Sequence, residues 1–212
     1  MKKAAVVFLM ILVLALSSAG AIRLGISASY AKHLTSDFGS GLAPGFSLAY
    51  DLTPMFAVEL RGALFGSTVT ASATGLSAGK MSMTPLELAA VARFGAGKKL
   101  VPYAALGLGY GLHSFTLDST IVNAWSNVGL SLSESIKKGM TISLGAGLDF
   151  ALKQGEKPGQ GIFLNLEVRY LMAKSDGSWS LTDNASQEKA TGTLSKLKLD
   201  SFLVGLGVKY GF

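Results

Sequence analysis

The chain has 212 residues, with 19 Lys and Arg against 13 Asp and Glu, and no cysteine. The lack of cysteine excludes a disulfide framework and a thiolate metal site, and the small, scattered positive charge argues against nucleic acid as a partner. The 26 glycines are spread between short segments in which apolar and polar residues alternate.

The N-terminus has the pattern of a secretory signal peptide. Two lysines precede an apolar run over residues 4–16, and residues 19–21 (AGA) fit a cleavage site of small residues. The run is too short for a transmembrane helix, which needs about 20 residues. We therefore predict a signal peptide at 1–21 and one exported domain at 22–212.

The rest of the chain contains eight segments in which apolar residues fall on every second position. Such alternation is typical of strands with two unlike faces. The last segment shows it clearly, since Phe202, Val204 and Leu206 are separated by Leu203 and Gly205. The eight predicted strands are 22–31, 42–51, 56–66, 84–95, 102–114, 140–152, 162–172 and 199–212.

The connections between these strands alternate in length. Long connections are expected at 67–83, 115–139 and 173–198, and those after the second, fourth and sixth strands are short. Long loops on one side, short turns on the other and two girdles of aromatic residues are typical of outer-membrane barrels. The sequence thus predicts an all-β fold, an eight-stranded antiparallel transmembrane β-barrel in the outer membrane of a Gram-negative bacterium.

The last strand ends on an aromatic residue of its apolar face. Tyr210 and Phe212 lie on that face near the predicted periplasmic rim. A C-terminal aromatic on such a strand resembles the signal that the barrel-assembly machinery reads. We therefore expect this pair to act as an assembly signal, with that machinery, outer-membrane lipid and lipopolysaccharide as partners.

Three stretches resemble the OmpW-like family of small outer-membrane proteins. The family's hairpin with a Pro-Tyr and a Gly-x-Gly run resembles "MTPLELAAVARFG…LVPYAALGLGYGLHSF" (83–115). Its later hairpin resembles "GAGLDFALKQG" and "IFLNLEVRYLMAKSD" (145–155 and 162–176), and its ending resembles "FLVGLGVKYGF". The linker at 153–161 is longer than expected for that family. The resemblance implies an eight-stranded barrel with a narrow hydrophobic channel for small apolar molecules.

Charged residues on inward positions are expected to pair in the lumen, because an unpaired buried charge is very costly. Toward the outside, small inward residues suggest a hollow that is open above and closed below by these charges. The alternative is that each charge only stabilises the barrel. The predicted charges are Arg23, Asp51, Glu59, Arg61, Arg93, Asp149, Glu167, Arg169 and Lys209, and Gly109, Gly111, Ser143, Gly145 and Gly205 are the residues expected to line the hollow.

Pro44 and Pro85 fall in the outer halves of two predicted strands. Proline cannot donate to a ladder, so each indicates a bulge, a local gap that could form a lateral exit, or a later start of pairing. Trp125 and Trp179 lie in predicted long loops and could contact a partner or lipopolysaccharide, although solvated loop anchors are the commoner explanation.

Catalytic signals are weak, and the sequence suggests neither an enzyme nor a cofactor. His33 and His113 are the two histidines, too few for a metal cluster. His113 and Ser114 are adjacent, so their side chains point to opposite faces of a strand. We expect a narrow channel or binding cup for small hydrophobic molecules. The alternative is a non-transporting barrel that acts through its extracellular loops, and a filled lumen above the charges would favour it.

Overall fold

The structure is a computed structural model that describes residues 20–70, 77–157 and 159–212. Residues 1–19 of the predicted signal peptide therefore lie outside the described residues. The described residues form β1 (Ile22–His33), β2 (Ser40–Asp51), β3 (Phe56–Ala63), β4 (Phe65–Thr70), β5 (Ser77–Arg93), β6 (Leu100–Leu117), α1 (Ser119–Asn127), β7 (Leu130–Ile136), β8 (Gly139–Gln154), β9 (Gly161–Asp183), β10 (Lys189–Lys198) and β11 (Ser201–Gly211).

Eight wall strands close into an antiparallel barrel, which confirms the predicted fold class. The wall runs β1, β2, β3 with its continuation β4, β5, β6, β8, β9 and β11, in that order. β11 then pairs with β1 along its whole length, from Arg23 opposite Gly211 to His33 opposite Ser201. Closure pairs the first strand with the last, which is how a barrel avoids the free edges of an open sheet, and the ladder is missing only along a short stretch between β2 and β4 of the described wall.

The wall has an apolar outer surface. Ile26, Leu42 and Leu106 point outward and are 73%, 76% and 60% exposed. The residues that alternate with such outward residues along each strand are turned inward. Exposed aromatic side chains occur toward both ends of the wall, with Phe94 and Phe212 near the short turns. An apolar band flanked by aromatic rings is the surface that a lipid bilayer requires.

Short turns lie at one end of the barrel, here called the inner end, where β1 also begins and β11 ends. The turn after β2 is held by Thr53, whose Oγ1 accepts from the N–H groups of Met55 and Phe56 at 3.2 and 3.0 Å. Phe212 exchanges two backbone hydrogen bonds with Ile22, at 3.0 and 3.2 Å. The last residue of the chain is therefore part of the closed wall.

The predicted long loops at the outer end are partly regular structure, which corrects their predicted bounds. β5 starts at Ser77 inside the expected 67–83 loop, and β6 continues to Leu117. β9 continues to Asp183, where β7 and β10 pair with its two edges. These three strands extend the β9 ladder beyond the barrel, and we call them the outer sheet.

Helix α1 connects β6 to β7 at the outer end and buries none of its residues. Its N-cap is Asp118, whose side chain accepts from the Thr120 N–H at 3.0 Å. This backbone hydrogen bond lowers the pKa of Asp118 below its ordinary value. Trp125, predicted to lie in a loop, is on this helix. Among the described residues, no helix is long and apolar enough to cross a membrane.

Candidate functional site

The inner half of the lumen holds a network of ionised side chains. Every inward charge named from the sequence lies there, together with Glu87, which the sequence analysis had left out of the network. We call this set the charge network, and it comprises Arg23, Asp51, Glu59, Arg61, Glu87, Arg93, Asp149, Glu167, Arg169 and Lys209.

The lowest part of the charge network is centred on Asp51. Its two carboxylate oxygens accept from Arg23 at 2.7 Å and from Arg93 at 2.6 Å. Arg23 also reaches Asp149 at 3.5 Å, and Lys209 lies 3.5 Å from the same carboxylate. Asp51 follows the last outward residue of β2, so the first short turn fixes its position at the inner rim.

The middle part of the charge network is centred on Arg61 of β3. Its guanidinium lies 3.3 Å from Glu87 and 3.4 Å from Glu167. It also donates to Ser143 at 2.7 Å, and Ser143 in turn donates to Glu87 at 3.0 Å. Arg169 contacts the same two carboxylates, at 3.4 and 2.9 Å. Each charge in this layer therefore has two partners of opposite charge, and every pair except that of Arg169 with Glu167 joins different strands.

Neutral side chains connect the two layers. The Tyr103 hydroxyl donates to Glu167 at 3.0 Å, and Asn165 donates to both Tyr103 and Asp149 at 2.9 and 2.8 Å. Tyr103 and Asn165 fall on inward positions of the alternating pattern, although neither was predicted as a member of the network. Their position opposite charged residues on inward-facing strands was the signal that could have identified them.

The charge network is balanced and largely buried. It contains five cations and five carboxylates among the described residues, joined by nine ion pairs. Arg61, Glu87 and Asp149 are only 1–2% exposed. The network therefore fills the inner half of the lumen with mutually compensated side chains, and a cavity of about 250 Å³ opens below it at the inner rim, beside Arg23, Arg93 and Asp149.

The outer half of the lumen is filled by apolar side chains, which corrects the predicted hollow. The largest members are 0–3% exposed, so water does not reach them. Met81 and Met83 come from the part of β5 that was predicted to be a loop. The full apolar cluster is Ala31, Ala43, Phe65, Met81, Met83, Leu171, Ala173, Leu199 and Leu203.

The small residues expected to line a hollow are instead packed against neighbours. A side chain at Gly109 would collide with the backbone of β5, and one at Gly205 with Ser29. At Gly111 a Cβ would lie 2.7 Å from the His113 ring, while at Gly145 its nearest neighbour would be 3.4 Å away. Ser143, the fifth of these residues, is hydrogen-bonded to Arg61 and Glu87 of the charge network. Two lumen cavities between the layers measure only about 10 and 20 Å³.

Two histidines lie near the outer end of the lumen. His33 Nδ1 is 2.8 Å from the Ser201 hydroxyl, and its ring lies about 5 Å from those of Phe38 and Phe65. Both members of this pair are 0–2% exposed, so a substrate has no access to the hydroxyl. His113 points inward and Ser114 outward, as their adjacency predicts.

The wall is interrupted beside the apolar cluster. The ladder between β2 and β3 ends at Gly45 opposite Ala63, and its last bond runs from the Leu64 N–H to the Pro44 carbonyl at 2.8 Å. Among the described residues, no ladder joins β2 to β4 beyond that point, although Gly41 lies directly against the Gly66 carbonyl. Backbone hydrogen bonds resume just before β2, where Gly39 donates to Thr68 and Thr70 donates to Asp37, both at 2.8 Å. The ladder from β3 to β5 passes to β4 next to Pro85 in the same register.

Comparisons with known proteins agree with this architecture. The family model for the outer membrane protein beta-barrel domain matches residues 4–212. OprG from Pseudomonas aeruginosa has a similar structure, with a TM-score of 0.70 and 18% identity over 92% of this chain and 96% of that chain. No curated protein matches the sequence significantly.

Two further solved structures share the fold. Neisserial surface protein A has a TM-score of 0.58 and 14% identity, over 92% of this chain and 98% of that chain. The solid-state NMR structure of AlkL in DMPC bilayers has a TM-score of 0.52 and 18% identity, over 91% of this chain and 90% of that chain. At these identities the similarity concerns the fold.

Proposed function

We propose that this member of the outer membrane protein beta-barrel domain family is a closed barrel that acts at the cell surface. The chain lies in the outer membrane of Gram-negative bacteria. The observation that carries this proposal is the filling of the lumen in two layers, a balanced charge network below and an apolar cluster above. An eight-stranded barrel is just wide enough to be filled by its own side chains. The part left to contact other molecules is then the outer sheet with helix α1.

Electrical recording from planar bilayers tests the closed lumen. We expect the full chain, inserted in its heat-modifiable form, to add no steady ion conductance to the bilayer. Heat-modifiable mobility and protease protection of the reconstituted chain verify insertion, so that an absent current reports a closed lumen. Steady conductance through the wild-type barrel would overturn the proposal.

A second function is favoured by the interrupted wall. The apolar cluster lies directly behind the segment where β2 and β4 are unpaired, and its members Ala43 and Phe65 belong to those two strands. The resemblance to the OmpW-like proteins implies the same kind of ligand, and we propose that family assignment together with this function. Small apolar molecules would enter the outer half of the lumen and leave sideways into the membrane, without crossing the charge network.

Photolabelling of intact cells tests this second function. A short alkane that carries a photoactivatable diazirine should label Phe65, Met83 and Leu203 in addition to residues of the lipid-facing wall. Labels at the inward positions are diagnostic, because these side chains are buried from the bilayer. Labels restricted to outward residues such as Leu164 would show that apolar molecules reach the wall but not the lumen.

A further inference from the structure

The outer sheet carries a regular array of hydroxyl groups on one face. β7, β9 and β10 alternate small polar residues with larger ones, and their antiparallel register aligns the polar residues in rows across the three strands. The two complete rows are Ser133, Ser180 and Thr191, and Ser135, Ser178 and Thr193. A third row, further out, consists of Ser131, Thr182 and Lys189. We call these nine positions the hydroxyl face.

The hydroxyl face is accessible and concave. Its residues on β7 and β10 are exposed and those on the central strand β9 are half-buried. The six residues of the two complete rows line a groove of about 370 Å³ together with Lys189, Glu134, Trp179 and Gly192. Ser133 and Ser180 already contact each other through their hydroxyls at 2.9 Å. A groove of this size is within the range that holds a small organic ligand.

The hydroxyl face continues the lipid-facing stripe of β9. Along this strand every second residue points outward, and the stripe begins with Leu164 and continues to Met172, which are 41% and 37% exposed. Lys174 follows, opposite the exposed Lys198 of β10, and then Asp176 before the stripe reaches Ser178. Ser178 is about 20 Å along the strand from Met172, at about 3.4 Å per residue.

This order matches the layers of the glycolipid around the barrel. An apolar band lies at the height of acyl chains, two lysines follow at the height of phosphorylated sugars, and hydroxyls follow where the oligosaccharide begins. A hydroxyl both donates and accepts, so a surface of hydroxyls pairs with a sugar in many orientations, whereas it offers little to an apolar or strongly charged partner. We propose that the hydroxyl face binds the core oligosaccharide of neighbouring lipopolysaccharide, an inference that rests on the proposed surface function and names its partner.

Titration of the full chain in detergent micelles tests this proposal. The probes are lipopolysaccharide that carries its core oligosaccharide, the same lipid stripped to lipid A, and the free core oligosaccharide. The variant Ser133→Ala with Ser180→Ala removes two hydroxyls from the middle row. The control variant, Ser119→Ala with Ser126→Ala, removes two exposed hydroxyls from α1, and heat-modifiable mobility verifies the fold of both.

The wild-type chain should bind the core-bearing lipid at least fivefold more tightly than lipid A. The Ser133/Ser180 variant should lose most of this preference, since two neutral hydrogen bonds correspond to roughly tenfold in affinity, and the α1 control should keep it. Replacing Lys174 and Lys198 by Gln should weaken binding of both lipids by a similar factor, because both lipids carry the phosphates that the lysines contact in this proposal.

An unchanged preference in the Ser133/Ser180 variant would overturn the proposal, as would equal binding of the two lipids by the wild type. Equal binding of free oligosaccharide and intact lipid would instead assign the face to glycans from outside the membrane and overturn lipopolysaccharide as its partner. These results leave the conductance test unaffected. A closed barrel without saccharide preference therefore refutes only this inference, and a conducting barrel refutes the proposed function.

Discussion

Removal of Arg61 tests whether the charge network holds the barrel together. Arg61 is 2% exposed and contacts Glu87 at 3.3 Å and Glu167 at 3.4 Å. Arg61→Met leaves Glu87, whose side chain is fully buried, with Arg169 as its remaining cation at 3.4 Å. Breaking a buried pair by removing one partner costs about 3–5 kcal/mol, and we expect a loss in this range in the free energy of unfolding.

The second change, Glu87→Gln, should restore much of that loss when it is combined with Arg61→Met. The double variant has four cations and four carboxylates in the charge network, so no charge is left in excess. We expect a coupling free energy of about 2 kcal/mol between the two positions, as is found for buried groups that share one network. Ser143 keeps a partner in the double variant, because the Gln side chain can still accept its hydroxyl.

Urea unfolding in lipid vesicles, followed by heat-modifiable mobility and by fluorescence of Trp125 and Trp179, measures these free energies. Lys153→Met is the matched control, because it removes one positive charge from an exposed position of β8. The reasoning fails if Arg61→Met destabilises the barrel no more than this control. It also fails if the losses from Arg61→Met and Glu87→Gln simply add.

Three further predictions concern the ends and the wall of the barrel. Phe212→Lys should lower the amount of heat-modifiable barrel in the outer membrane while export continues, whereas Phe202→Lys at the opposite end of β11 should leave that amount unchanged; equal effects would refute an assembly signal. Gly109→Ala should lower the free energy of unfolding because the methyl collides with a backbone carbonyl of β5, and Gly145→Ala, whose Cβ meets nothing closer than 3.4 Å, should not. The lowered pKa of Asp118 means that its cap is present above the unfolded pKa of about 4 and is lost as the pH falls through the lower folded value, so the protection factors of the α1 amides against hydrogen exchange should fall on acidification in the wild type but not in Asp118→Asn.

The period-2 pattern predicted the architecture and the inner half of the lumen because both depend on which face a residue occupies. Arg61, Glu167 and Lys209 alternate with apolar neighbours, so their inward position follows from the register alone. The alternation does not specify which charges pair across the lumen. That depends on the relative heights of non-adjacent strands, so the sharing of Glu87 between Arg61 and Arg169 became visible only in the structure.

The outer half of the lumen was predicted less well, because the predicted strands were too short there. Met81 and Met83 had been placed in a loop, so their inward faces were not counted, although they fill the space that was expected to be hollow. Leu171 and Leu203 lie on inward positions of predicted strands and could have indicated a filled lumen. The small residues around them suggested a hollow instead. The outer sheet was missed because a strand that pairs beyond the membrane needs no apolar face, which makes its alternation weak.

Pro44 provides a test of the interrupted wall. In an antiparallel ladder the N–H and C=O of one residue point to the same neighbour, and the Pro44 carbonyl accepts from the Leu64 N–H at 2.8 Å. The donor that proline lacks therefore faces the interruption, and β1 loses no bond. Pro44→Val supplies an N–H that can donate to the Leu64 carbonyl and extend the ladder toward β4.

Stability is a poor measure of the Pro44→Val change. One added hydrogen bond contributes about 1 kcal/mol, and the loss of the proline restraint on the unfolded chain costs about 0.4–1 kcal/mol, so the two nearly cancel. Hydrogen exchange at Leu64 and diazirine labelling of Phe65 are the informative measurements. If apolar molecules pass through the interruption, Pro44→Val should slow exchange at Leu64 and reduce labelling of Phe65, while Leu42→Val on the same outward face changes neither. Slower exchange with undiminished labelling would place the route elsewhere, and the barrel would then be left with its surface function alone.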